Sequence, residues 1–272
     1  MMHKDLYITN LTSNLLGNNV DSQATDNIYS RLRCNQTYKT TKVNRFSDID
    51  IKTKELLKNY FFKKIDVCDF GLSSGQTTLE LANTLDTQVG NLFGFDKQIR
   101  VTLYQYGKFV FLYDLDKKIM LSEYNGFSIK RRYSIILKLM EKMLYKFLYK
   151  SKKVKAHGTT LLSKNLQALD YFHWDEQDIF NIDRKYYNKF DFVRVANLLN
   201  KVYFNDDQLK IGIENIKYIL KDGGILLINK TELDNENDGQ NNGTFFIKQD
   251  DRLMFIEDFN FGSEVKKIVL RK

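Results

Sequence analysis

The chain reads as an α/β protein built on a doubly wound, mostly parallel sheet. Three observations predict this. Short apolar runs at 65–70, 91–95, 190–196 and 225–228 alternate with helical periodicity at 78–85 and 209–220. A glycine-bearing turn, Gly71-Leu-Ser73-Ser74-Gly75, joins the first apolar run to the first helix. An acid, Asp96, closes the second run 21 residues after Gly75.

Composition bounds the rest. With 272 residues, 43% of them hydrophobic and 14% aromatic, the chain can form one large or two small domains. No apolar run reaches the ~18 residues of a membrane span. The first residues lack an apolar core of signal-peptide length and a small-residue cleavage site. A cytoplasmic protein, peripheral to a membrane at most, is therefore expected. Cys34 and Cys68 are the only cysteines, and Cys68 lies inside an apolar run, against a disulfide framework or a Cys-based zinc site. There is no proline.

Taken in order, residues 1–45 are polar and weakly periodic, so a mobile cap or partial disorder is expected. Ser47 is placed to cap a helix over 48–62, with Ile49, Ile51, Leu56, Leu57 and Tyr60 on its stripe. Gly71 and Gly75 permit tight backbone geometry and deliver the chain to a helix N-terminus, where free N–H groups face a ligand. Asp96 stands at about the ~20-residue spacing at which an acid takes ribose hydroxyls. Residues 99–127, rich in β-branched and aromatic side chains, predict a two- or three-stranded meander. Asp114 and Asp116 read as a turn rather than a metal site, because no other ligands accompany them.

Residues 130–155 carry ten Lys and Arg against one acid, Glu141, around a stripe of Tyr133, Ile136, Leu137, Met140, Leu144, Phe147 and Leu148. This amphipathic segment is +9 in a chain of +8, so the remainder sums to −1. It either packs its stripe on a sheet, or lies on an anionic lipid surface, or meets nucleic acid. A loop and a helix are expected over 156–172. The 190–196 run ends in Asn197, and Asn205-Asp206-Asp207 reads as the cap of the next helix. Gly223-Gly224 reads as that helix's C-terminal turn, before a strand ending at Asn229. Asp234–Gly239 reads as a polar loop, because Glu236 and Phe245 break the calcium-loop pattern. Strands are expected at 244–247, 253–256 and 265–270.

The run Asp69-Phe-Gly71-Leu-Ser73-Ser74-Gly75 lacks the G-x-G-x-x-G of dinucleotide binders. It resembles motif I, D-x-G-x-G-x-G, of class I S-adenosylmethionine-dependent methyltransferases, with Ser73 where the middle Gly is usual. The stretch from Phe190-Asp191-Phe-Val to Gly223-Gly224-Ile-Leu is similar to that family's "fD-V … LkpGG-L-i" signature, with Asp222 where Pro is usual. The run VRVANLLNKVYF also looks like its counterpart in chemotaxis-receptor glutamate methyltransferases, in architecture only. The resemblance covers about residues 64–96 and 173–230.

It implies a Rossmann-like doubly wound sheet with an antiparallel C-terminal strand and S-adenosyl-L-methionine as cofactor. The expected organisation is an N-terminal cap and helix over 1–62, then a methyltransferase domain over 63–272 with an insertion at 97–155. The resemblance puts cofactor contacts on Asp69, Gly71, Ser73, Ser74, Gly75, Asp96, Asp178, Ile179 and Asn197. Asp178 stands where the adenine amino group is taken; its other reading is a surface acid in a loop. Asn197, near the methyl in this fold, is no strong base and would position substrate by hydrogen bonds. His157 and His173 are the candidate bases, each a lone histidine. No metal is expected.

Without proline, neither the N/D-P-P-Y/F motif of exocyclic base-amine methylation nor a Pro-Cys nucleophile can exist. The insertion and the N-terminal part are expected to form the acceptor site. The resemblance then implies a methyltransferase for a small-molecule or lipid-linked acceptor. Residues 130–155, with Lys138, Lys142 and Lys146, would meet an anionic membrane, ahead of nucleic acid. Two further readings stand beside it. One is a non-catalytic cofactor-binding protein docking on anionic membrane or RNA through 130–155. The other is an RNA methyltransferase using a ribose or ring-nitrogen route. The broken G-x-G-x-x-G disfavours an NAD-dependent oxidoreductase.

Overall fold

The computed structural model describes residues 6–8, 10–16, 32–34, 37–38, 43–129, 135–234 and 237–270. The chain divides into two units, one of residues 1–42 with 98–164, the other of 43–97 with 165–272. Residues 1–42 of the expected cap fall in the first unit and 43–62 in the second, and the expected insertion at 97–155 falls in the first apart from Lys97.

In chain order, β1 (Leu6–Ile8), a Leu11–Leu16 helix, β2 (Arg33–Cys34) and β3 (Thr37–Tyr38) come first. The Ser47–Tyr60 helix, β4 (Ile65–Phe70), the Gln76–Leu85 helix and β5 (Val89–Asp96) follow. Next are β6 (Arg100–Tyr106), β7 (Phe109–Tyr113), β8 (Ile119–Tyr124), β9 (Phe127–Ile129), the Ile135–Lys150 helix and β10 (Lys155–Thr160). β11 (Phe172–Glu176), β12 (Phe190–Ala196), the Asp206–Ile219 helix, β13 (Leu220–Asp234), β14 (Asn237–Gln249) and β15 (Arg252–Phe259) complete the strands.

The second unit holds a seven-stranded sheet ordered β11-β5-β4-β12-β13-β14-β15. The first five are parallel, and β14 and β15 run antiparallel to their neighbours. The chain moves outward through β4, β5 and β11, then returns to start β12 against β4. Strand order therefore reverses between β4 and β12, and a crevice opens at such a switch point beyond the carboxyl ends of the strands. One sheet face packs on the Asp206–Ile219 helix, burying Phe70, Phe95, Val193, Val195, Ile213, Ile216 and Ile228. Asn205 caps that helix with a full capping box through Gln208, as its sequence predicts.

The first unit holds a six-stranded antiparallel sheet ordered β1-β9-β8-β7-β6-β10. The meander expected at 99–127 thus has four strands, and both its edges gain a further one. Where a loop and helix are expected at 156–172, β10 pairs with β6 along Lys155–Thr160, and only Lys164–Gln167 is helical. Pairing with a distant strand overrides a weak local helical signal.

Other boundaries shift. Phe46, not Ser47, occupies the N-cap, with no side-chain cap bond. The Asp206–Ile219 helix ends on an extended Leu220, so Gly223-Gly224 is not its cap. That pair lies at the irregular start of β13, where Gly223 takes φ +77° and a Cβ on Gly224 would meet Lys221 O at 2.7 Å. The strand expected over 265–270 is a helix, Lys266–Val269, because Val265 and Ile268 reach the core three residues apart. Of the polar loop expected over Asp234–Gly239, Asp234 belongs to β13 and Asn237–Gly239 to β14, and residues 235–236 lie outside the described set. Most of the polar 1–45 stretch, and Tyr133, also lie outside it. Among the described residues no helix is long and apolar enough to cross a membrane.

Candidate functional site at the carboxyl edge of the parallel sheet

The glycine turn leaves β4 directly at the switch point. Gly71, at φ +97°, and Leu72 both donate backbone N–H to Phe95 O, at 2.8 and 3.1 Å. Ser73 takes φ +52°, a left-handed conformation that a side chain adopts at a cost of about 1–2 kcal/mol. Its N–H donates to Asp96 Oδ2 at 2.9 Å. Gly75, at φ +78°, donates to Leu72 O at 2.7 Å and opens the Gln76–Leu85 helix. Its left-handed φ favours glycine, and a Cβ there would also have to displace Leu166 Cδ2, 2.3 Å away. Ser74 is fully buried, and its Oγ accepts from Gln76 N at 3.3 Å. The acid at the end of β5 thus pins the turn that follows β4.

Asp69 works from beneath. Its Oδ1 accepts from Arg194 Nε at 2.8 Å, and its Oδ2 accepts from Arg194 Nη2 at 2.7 Å and from the Thr78 hydroxyl. Arg194, on β12, is fully buried, donates also to Thr77 O at 2.9 Å and to Asp50 Oδ1 at 2.8 Å, and lies 5.2 Å from the Phe46 ring centroid. One guanidinium therefore ties the Ser47–Tyr60 helix, β4 and the first turn of the Gln76–Leu85 helix together. Burial lowers the Arg194 pKa, but the carboxylates of Asp69 and Asp50 more than reverse this and hold it charged. Asp50 fares differently: desolvation outweighs Arg194, and with Asp69 repelling it, its pKa is raised to about 6. Asp69 is placed by sequence among the cofactor contacts, whereas its carboxylate here is enclosed by protein groups.

Asn197 follows β12 in a left-handed conformation, φ +56°. Its N–H donates to Asn229 O at 2.8 Å, its Oδ1 accepts from Thr231 N at 2.8 Å, and its Nδ2 donates to Thr231 Oγ1 at 3.4 Å. The Asn197 amide is thereby locked to β13. Sequence reasoning gives no role to its neighbour Asn229, which is 2% exposed and has neither Oδ1 nor Nδ2 hydrogen-bonded within the protein. Such a buried amide costs about 1–3 kcal/mol per unsatisfied group. Its signal in the sequence is the polar residue that ends the apolar run 225–228. Register pairs Asn229 with Ala196, two residues beyond Arg194, so it shares Arg194's face of the sheet. Across the next strand, a Cβ on Gly243 would meet Asn229 Cβ at 3.0 Å and Ile49 Cδ1 at 2.6 Å.

Asp178 lies just past β11. Its Oδ2 accepts from Lys97 Nζ at 2.6 Å and its Oδ1 from Phe180 N at 3.1 Å. Ile179 is 3% exposed, within the core. Asp175 accepts from Lys185 Nζ, Tyr186 Oη and Gln177 Nε2 at 2.8–2.9 Å, and Gln177 Oε1 accepts from Asp183 N at 2.9 Å, which frames this loop. The fold thus brings Gly71, Ser73, Ser74, Gly75, Asp96, Asp178 and Asn197 to the ends of adjacent parallel strands. Of the candidate bases, His173 is exposed at the second position of β11, away from the strand's carboxyl end, its ring tilted 35° to Phe93 at 4.9 Å, and His157 is on β10 of the other unit. No described His, Cys, Asp or Glu cluster could hold a metal, and Cys68 is a free, buried thiol whose pKa burial pushes up.

This edge suits a cationic, adenosine-bearing cofactor such as S-adenosylmethionine. Asp96 puts a carboxylate at the end of β5, and Asn229 adds an unpaired donor and acceptor. The nearby cations are neutralised: Arg194 by two aspartates, Lys97 by Asp178. A pyrophosphate would need the opposite balance.

No protein-family model matches the chain, and no curated protein matches it. Solved structures similar in part include a SAM-dependent methyltransferase from Aquifex aeolicus, at TM-score 0.38 and 13% identity over 72% of each chain. Others are the citrinin polyketide synthase CMeT domain, at 0.36 and 13% over 70% of this chain and 35% of that one, and a sarcosine dimethylglycine methyltransferase candidate from Galdieria sulphuraria, at 0.36 and 9% over 68% and 45%. The chain spans only 35% and 45% of the lengths of those last two. Likenesses this distant carry nothing about chemistry.

Proposed function

We propose that the chain is an S-adenosylmethionine-dependent methyltransferase acting on a small-molecule or lipid-linked acceptor. One observation carries this reading. The Asp96-pinned glycine turn after β4 flanks one switch point with Asn197, just after β12, and Asn229, within β13, on an edge that carries the Asp96 carboxylate. Asp96 would take the ribose hydroxyls, and the helix opening at Gly75 the carboxylate end of the cofactor. Ile179 beside Asp178 would border the adenine. Bound cofactor would supply a methyl group on an already cationic sulfur, so the protein's task is alignment more than covalent help.

Asn197, locked by Thr231, would shape the strand end. Asn229, with its free donor and acceptor, would hold a polar group of the ligand in line. The acceptor's own chemistry is an expectation from the absent proline motifs, and the same absence favours it over base-amine methylation.

Isothermal calorimetry tests the cofactor. S-adenosylmethionine should bind the full chain, and Asp96→Asn should weaken it by at least about tenfold without lowering the melting temperature comparably. Absence of binding by folded wild type, or preferential binding of NAD, would overturn the reading. Tritiated-methyl transfer to lysate fractions split into lipid, RNA, protein and small molecules would then identify the acceptor class.

A further inference from the structure

The 98–164 part of the first unit carries an arrangement to which the proposed cofactor site gives no role. Register sets Tyr106 opposite Phe109, Phe109 opposite Tyr124, and Tyr124 opposite Phe127. Directly opposed residues share a sheet face. Four aromatic side chains therefore stand in one row across β6–β9, and all are exposed, between 37 and 53%. The row is the last register position before two turns, and Asn125 N donating to Lys108 O at 2.9 Å ties those turns together.

The opposite face is covered. Leu103, Val110, Leu112 and Leu121 are buried there against Leu11 and Leu15. On the aromatic face the Ile135–Lys150 helix covers only part of the sheet. Tyr145 packs 6.0 Å from Tyr104 and 5.3 Å from Tyr113, and Phe147 meets Tyr106 at 5.8 Å. Phe147 is itself 51% exposed, and Met143 and Tyr149 exceed 70%. A contiguous exposed apolar surface of this kind marks a contact site.

Charge indicates the partner. The first unit holds twenty Lys and Arg against seven Asp and Glu, a formal +13; the second holds twenty-two against twenty-seven, a formal −5. Lys108, in the turn beside Phe109, and Lys146 and Lys150, beside Phe147 and Tyr149, are exposed. Aromatic rings bordered by ammonium groups match an anionic bilayer interface, where rings settle at headgroup depth and lysines among the headgroups. A nucleic-acid strand would need open ring faces for its bases. Here Phe109 and Tyr124 pack on each other at 4.7 Å and Tyr106 meets Phe147 nearly perpendicularly, so the rings cover one another.

We propose that the row Tyr106–Phe109–Tyr124–Phe127, with the lysines around it, is the face by which this chain docks on an anionic lipid surface. The inference is independent of the methyl-transfer reading. The test is co-sedimentation of the full chain with phosphatidylcholine vesicles, with and without phosphatidylserine. Wild type should bind the phosphatidylserine vesicles, and Phe109→Ser/Phe127→Ser should weaken binding by about tenfold or more with an unchanged circular-dichroism spectrum. Phe109→Trp, a conservative change, should keep binding and shift its emission to the blue when those vesicles are added. Equal sedimentation of the serine variant and wild type would overturn the proposal. So would oligouridylate binding without vesicle binding, or a dimer broken by the serine substitutions without vesicle binding.

Discussion

At the scale of single residues, conformation and hydrogen-bond capacity explain the site better than residue type. Ser73 departs from the glycine usual in the motif it resembles, yet it occupies a left-handed φ of +52° and is held there by Asp96. The pin offsets the strain. Asn229 is the contrary case, a buried amide with neither polar atom satisfied by protein. Leucine has the same branching and number of heavy atoms, and no polar atoms to bury. Asn229→Leu should therefore raise stability by about 1 kcal/mol while weakening ligand binding. Thermal melting read beside calorimetry checks this. If the variant loses stability and keeps full ligand affinity, Asn229 is a structural amide and not a ligand contact.

At the scale of elements, the Ser47–Tyr60 helix is fastened to β4 and β12 by the Asp50–Arg194–Asp69 cluster, all within 3% exposure. Truncating Arg194 would leave the buried Asp50 and Asp69 carboxylates without their cation. Asp50 has a folded pKa raised from 3.8 to about 6, chiefly by desolvation, with Arg194 opposing and Asp69 and Glu80 adding to it. A raised carboxyl pKa contributes stability that is complete below the unfolded value and is lost as pH rises through about 6. Asp50→Asn removes that titration and keeps an acceptor for Arg194. Between about pH 4 and about pH 7, wild type should lose on the order of 2 kcal/mol relative to Asp50→Asn. Urea midpoints at the two pH values give the comparison, and parallel pH dependence of both proteins would remove Asp50 as the titrating group.

At the scale of the whole molecule, charge is divided rather than spread, +13 in one unit and −5 in the other. The proposed cofactor edge lies in the anionic unit and the aromatic row in the cationic one. Docking on anionic lipid should then weaken several-fold as salt rises from about 0.05 to about 0.3 M, because exposed charges are screened beyond a Debye length of roughly 6–14 Å over that range. Cofactor affinity, set by short and partly buried contacts, should change much less. Sedimentation and calorimetry across the same salt series separate the two. A lipid affinity that ignores salt would point to the aromatic row alone, without the lysines.

The sequence by itself determined what is local. Apolar runs of four to seven residues, the Gly71–Gly75 turn, the 21-residue step to Asp96 and the polar stop at Asn197 all lie within short windows of chain. Backbone propensity and burial periodicity act at that range, so these features were legible. Tertiary structure decided what depends on register between distant segments. It placed Asn229 two residues beyond Arg194 on the same face, and paired β10 with β6 where a helix is expected. It also enclosed Arg194 between Asp69, 125 residues away, and Asp50, 144 residues away. The aromatic row is legible only once four strands align, since its members are scattered along 106–127 with no period of their own. Periodicity reports which face of a segment is buried; only pairing reports what that face meets.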